Sequence, residues 1–139
     1  MQGRAFLILA REQLAVADEV HRRGAVGRAY YALFLESREA LSRWGLPPPR
    51  GISPHSYVRL RFVFPANPDL KKLGRALEEL SHRRNDADYE LAPLAVFASD
   101  AEALRLVQRA TDAIALLDAV DADPARRAAA VAAIRTAFP

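Results

Sequence analysis

Apolar side chains recur every three or four positions along most of the chain, and each such run predicts a helix with one buried face. From residue 4 to 23 the stripe is Phe6, Leu7, Ala10, Leu14, Ala17 and Val20, and Gly24 is its expected end. A second helix is predicted over 25–44. It carries Tyr30, Leu33, Phe34, Ser37, Leu41 and Trp44 on one broad face and leaves Arg28, Glu36, Arg38 and Glu39 for solvent. Gly45 and Pro47, Pro48 and Pro49 stop it, because proline lacks the helical donor and forces the residue before it out of the helical region. Ser53-Pro54 then reads as a hydroxyl N-cap with proline at the first helical position. In the segment that follows, Val58, Leu60, Phe62 and Phe64 alternate with other residues as in a strand. An isolated strand has nothing to pair with in an otherwise helical chain, so a short helix is predicted.

Asn67-Pro68-Asp69 opens the next helix, whose stripe of Leu70, Leu73, Leu77 and Leu80 runs into the polar stretch 81–91 before Pro93. Ser99-x-x-Glu102 has the form of a capping box ahead of Ala103, Leu104, Val107, Ala110, Ile114 and Leu117. Asp123-Pro124 starts a short alanine-rich helix over 124–137. Helices with one apolar face each, joined by short loops, predict an all-α fold: an antiparallel bundle of four to five helices. The whole of 1–139 reads as one domain, with its core in about 4–118.

Composition narrows the chemistry. At 51% hydrophobic residues the chain has enough apolar side chain for a core, and the absence of cysteine excludes disulfides, thiolate zinc sites and a cysteine nucleophile. The net charge of +3 and pI near 9.7 permit nucleic-acid binding without specifying it, because the only lysines are Lys71 and Lys72 and no long basic run occurs. No apolar stretch reaches the roughly 18 to 20 residues of a membrane span. The apolar run Ala5 to Ala10 lies between Arg4 and Arg11 with no cleavage site after it, so a cytoplasmic protein without membrane contact is expected. Nucleotide-binding glycine loops, HExxH and Gly-x-Ser-x-Gly are all missing, which leaves kinase, metalloprotease and serine-hydrolase readings without support. No cofactor and no metal are expected.

Residues 83–89, Arg-Arg-Asn-Asp-Ala-Asp-Tyr, concentrate charge and a phenol at the end of an apolar helix. Arg84 and Asp88 stand four apart, the spacing of an ordinary ion pair. The alternative is that Arg84, an amide and a phenol gather to hold a phosphate, a task suited to the planar guanidinium fork. Tyr30 and Tyr31 have helical spacing to Phe34 and Leu33, which suits a core or a dimer seam. His21, His55 and His82 read singly as surface or capping residues, and His82, two positions before Arg84, is expected on another side of the helix.

Three separated motifs occur in order: Gly27-Arg28-Ala29-Tyr30-Tyr31-Ala32-Leu33-Phe34, then His55 leading the third helix, then Arg84-x-x-Ala87-Asp88-Tyr89. Together, over roughly residues 4–118, they resemble the HEPN family, in particular its R-x-x-A-D-Y subgroup, often paired with minimal nucleotidyltransferases. The resemblance implies a homodimeric helical bundle with a nucleotidyltransferase-domain protein as partner. It also implies RNA or a nucleotide as ligand. Many HEPN proteins resemble metal-independent RNases built on an arginine, a polar residue and a histidine. Arg84 and Asn85 match the first two, and Tyr89 stands where the histidine is expected. A phenol with an ordinary pKa of about 10 is a poor general base, so the motif is degenerate as an RNase motif. On this resemblance Arg84, Asn85 and Tyr89 are the catalytic candidates, and Arg84, Asp88, His55 and Tyr30 the substrate-binding ones. The position of the AMP-accepting tyrosine of some members is Leu91 here, so that regulation does not carry over. A non-catalytic module that binds the transferase or a nucleotide is the alternative function, and a plain helical scaffold stays open.

Overall fold

In the computed structural model, which describes residues 1–139, six α-helices and one 3-10 turn follow one another. They are α1 (Ala5–Leu14), α2 (Glu19–Arg43), α3 (Pro54–Val63), α4 (Pro68–Tyr89), the turn Ala95–Phe97, α5 (Asp100–Ala122) and α6 (Pro124–Ala137). No strand is present, and the ambiguous segment after Ser53 is helical, with Tyr57, Val58 and Phe62 buried. The expected bundle had four to five helices, and α6 brings the number to six by packing on α5 and α3. None of the helices is long and apolar enough to cross a membrane.

The first helix ends earlier than its stripe suggested. Asp18 caps a new helix by accepting the His21 backbone N–H at 2.8 Å, and α2 runs on through Gly24 without a break. Ala17 and Val20, assigned to the first stripe, are therefore exposed, and His21 lies in the opening turn of α2. Gly24 has a packing role: a Cβ there would sit 2.8 Å from the Gln13 side chain of α1. At the other end Gly45 (φ +79°) closes α2 in a Schellman turn, with Leu46 N–H donating to the Leu41 carbonyl at 2.8 Å. The capping box of α5 does not form. Ser99 sits at the N-cap without a side-chain bond, and the Glu102 carboxylate accepts from Arg105, 2.6 Å away, in place of the Ser99 backbone N–H.

Side-chain pairs fix the directions of the helices. Arg4 reaches Glu36 and Asp118, and Arg11 reaches Thr111, so α1 runs antiparallel to both α2 and α5. Arg22 meets Asp100 while Arg43 meets Asp121, so α2 and α5 run parallel and touch across the bundle. Glu36, expected in solvent, is buried. Arg4 satisfies it with a two-pronged contact at 2.9 and 3.0 Å plus its own backbone N–H at 2.8 Å. The guanidinium holds the Glu36 carboxyl below its ordinary range.

Helix α3 lies directly on α4. A Cβ at Gly74 would come within 2.8 Å of the Phe62 carbonyl oxygen and 3.0 Å of Val63 Cα, and Lys71 donates to the Val63 carbonyl at 2.8 Å. This backbone contact tests simply. Gly74→Ala gains helix propensity yet forces α3 outward, with an expected net loss on the order of 1–3 kcal/mol in urea unfolding. Unchanged stability would show that α3 is free to shift.

Candidate functional site

A cleft of about 510 Å³ opens where α2, α3 and α4 converge. Its floor comes from α2. Tyr30 and Phe34, one helical turn apart, are both buried and stack at 5.9 Å with ring planes 12° apart. His55, in the first turn of α3, lies on the Phe34 ring at 4.1 Å, and its Nδ1 shares a 2.6 Å hydrogen bond with the Tyr30 hydroxyl. Burial pushes the Tyr30 phenol above its ordinary value, against the pull of Arg84. Burial, followed by the nearby charges of Arg84 and Arg38, pushes the His55 imidazole below its ordinary value. The pair is therefore neutral at neutral pH.

The fourth helix supplies the charge. Arg84 is only 14% exposed, and its guanidinium lies over Tyr30 at 5.1 Å and Tyr31 at 5.6 Å. The Arg84 stem packs beside Gly27 of α2, where an added Cβ would lie in ordinary contact with it at 3.8 Å. Asp88 is 3.6 Å away, too far for a hydrogen bond, and is itself 44% exposed. The buried Arg84 Nε has no partner. Arg84 is thus a guanidinium held by aromatic faces and incompletely neutralised.

Most of the sequence candidates meet here, though not all. Arg84, Asn85, His55 and Tyr30 line the cleft, and Asp88 stands beside Arg84. Tyr89 does not line it. That phenol ends α4 at 74% exposure, so only the motif's first two members line the cleft. His82, expected on another side of the helix, lines the cleft with Arg84, because the cleft spans two flanks of α4. Arg59 of α3 also lines it, and no sequence signal marked it. No group of three or more His, Cys, Asp or Glu side chains is assembled for a metal ion.

A second missed residue acts on this site from behind. Helix α4 has no basic residue in its last turn. Arg23 of α2 supplies one, donating to the carbonyls of Asp86 (3.1 Å), Ala87 (3.1 Å) and Glu90 (2.6 Å) while lying over the Phe97 ring at 4.7 Å. A cation on these terminal carbonyls complements the negative end of the helix.

The His55 environment predicts a pH effect. An unfolded imidazole takes its proton near the ordinary value of 6.5, and the folded one only at lower pH. Between those two values the unfolded state binds more protons, so stability is present above 6.5 and is lost as pH falls through the folded value. Urea unfolding at pH 7.5 and 5.0 is expected to show a smaller acid-induced loss in His55→Gln than in the parent protein. An equal loss in both would remove His55 from the account. The chain matches no protein-family model, no curated protein and no solved structure.

Proposed function

We propose that this chain is a HEPN-like component of a toxin–antitoxin or nucleotidyltransferase-associated module, and that its cleft binds the phosphate of RNA or of a nucleotide through Arg84. The observation that carries the reading is the state of Arg84. Its side chain is largely withdrawn from water, its Nε lacks a partner, and its nearest carboxylate is 3.6 Å away. Burying a guanidinium is costly unless its donors are satisfied, and a phosphate supplies paired acceptor oxygens for the fork. Stacking on Tyr30 fixes the fork before the ligand arrives, which reduces the entropy lost on binding.

The same geometry argues against strong catalysis by the R-x-x-A-D-Y motif. Tyr89 is exposed and takes no part in the cleft lining, and the motif holds no histidine. A homodimer and a nucleotidyltransferase partner belong to this proposal. The second reading, a non-catalytic module docking on that partner, draws on Tyr89 and Leu91, which both stand exposed at the end of α4.

Two measurements decide between them. Arg84→Ala, with circular dichroism as folding control, is expected to weaken RNA or nucleotide binding by about 1.5–3 kcal/mol, roughly 10- to 100-fold, and to flatten its salt dependence by about one contact. Identical affinities and slopes in parent and variant would leave partner docking as the function. In a metal-free assay on single-stranded RNA, cleavage by the parent protein is expected to be weak or absent. Robust cutting that vanishes in Tyr89→Phe would overturn the degenerate-motif reading.

A further inference from the structure

The cleft offers more guanidinium donors than one bridging phosphate requires. Besides Arg84, Arg59 enters from α3, half-buried and engaged in none of the chain's ion pairs. Against these two guanidiniums the lining sets one carboxylate, Glu78. His55 lines the same cleft, with Nδ1 already engaged by Tyr30 and Nε2 left for a ligand. A phosphodiester carries one charge on two free oxygens, and a single arginine matches it. A terminal phosphate carries about −1.5 to −2 at pH 7 on three oxygens.

We infer that the cleft takes a terminal phosphate monoester, with Arg84 and Arg59 as its fixed cations and His55 taking up a proton as the group enters. This rests on the phosphate-binding reading above and specifies which phosphate it is. The charged and titratable groups around His55 are Tyr30, Tyr31 and Arg38 from α2, Arg59 from α3, and Glu78, His82, Arg84 and Asp88 from α4. Of these, Asp88 sits beside Arg84, while His82 is 3.7 Å from Asp86. Without ligand, burial and the fields of Arg84 and Arg38 keep the ring neutral. A dianion entering among them reverses the sign of that field and favours the imidazolium. Tyr30 serves both states, because a phenol oxygen accepts from a protonated Nδ1 and its hydroxyl donates to a bare one.

A terminal phosphate can belong to a free mononucleotide or to the end of an oligonucleotide, and the experiment separates the two. The chain has three histidines, so imidazole NMR signals can be followed singly, with His55 identified by its loss in His55→Gln. Following the ring itself keeps its titration apart from that of the phosphate. The midpoint of His55 is expected to rise by one unit or more on saturation with adenosine 5′-monophosphate. By linkage, the protonated protein then binds the nucleotide about tenfold more tightly. An oligonucleotide with a terminal phosphate is expected to compete with the mononucleotide, and its hydroxyl-ended counterpart is not. If only the phosphorylated oligonucleotide raises the midpoint, the ligand is a chain end and the inference stands.

Two results would overturn the inference and leave Arg84 as a ligand for bridging phosphates. One is saturation by nucleotide or oligonucleotide with the His55 midpoint unmoved. The other is equal competition by the hydroxyl-ended oligonucleotide. No binding of either probe by the parent protein would remove the phosphate reading together with this one.

Discussion

Helix α2 is enclosed by α1, α3, α4, α5 and the 3-10 turn, and that enclosure is the constraint on which the rest of the molecule depends. A helix covered on so many sides must present small or apolar side chains almost all round, and Ala25, Val26, Gly27, Ala29, Ala32, Leu33 and Ala40 do so. Any polar group it directs inward needs a partner on a neighbouring element, since an unpaired buried donor or acceptor costs about 1–3 kcal/mol. The buried Ser37 hydroxyl has no such partner, but three other side chains of α2 have each drawn a neighbour into place. Glu36 holds Arg4 at the start of α1, Tyr30 holds His55 at the start of α3, and Arg23 seals the end of α4.

Tyr30 joins the core to the site. The same ring packs against Phe34 and supports the Arg84 guanidinium, while its hydroxyl holds His55. Helix α4 is restrained near both ends of its site segment, by the backbone contact at Gly74 and by the Arg23 clamp. The cleft is therefore set by packing, and its groups do not wait on a ligand to be assembled. That arrangement suits recognition of a small anionic group better than adaptation to many partners.

The arginine-rich composition acquires a different meaning once the pairs are known. Arg4, Arg22, Arg43, Arg105, Arg109 and Arg126 each reach a carboxylate on another helix. Exposed pairs of this kind contribute at most about 1 kcal/mol each, but they orient one helix against the next. The net positive charge is thus no measure of nucleic-acid affinity here. What matters is that Arg59 lacks an acidic partner and Arg84 is only loosely paired, and that both line one cleft.

The sequence by itself determined the helices that signal their own ends. The hydroxyl-proline start of α3, the Asn67 cap of α4, the glycine-proline stop of α2 and the apolar periods between them are local features, set by residues within a few positions of one another. It also marked Arg84, Asn85, His55 and Tyr30, which the fold does bring together. Only the tertiary structure decided that the chain breaks at Asp18 and passes straight through Gly24, that Glu36 is buried, that Arg59 and His82 join the cleft, and that Tyr89 is left outside it. Those outcomes depend on contacts such as Arg4 with Glu36, 32 residues apart, and His55 with Tyr30, 25 apart. Helical periodicity reports which face of a segment is apolar. It carries no information on which distant segment will cover that face, and the environment of every charged side chain depends on that neighbour.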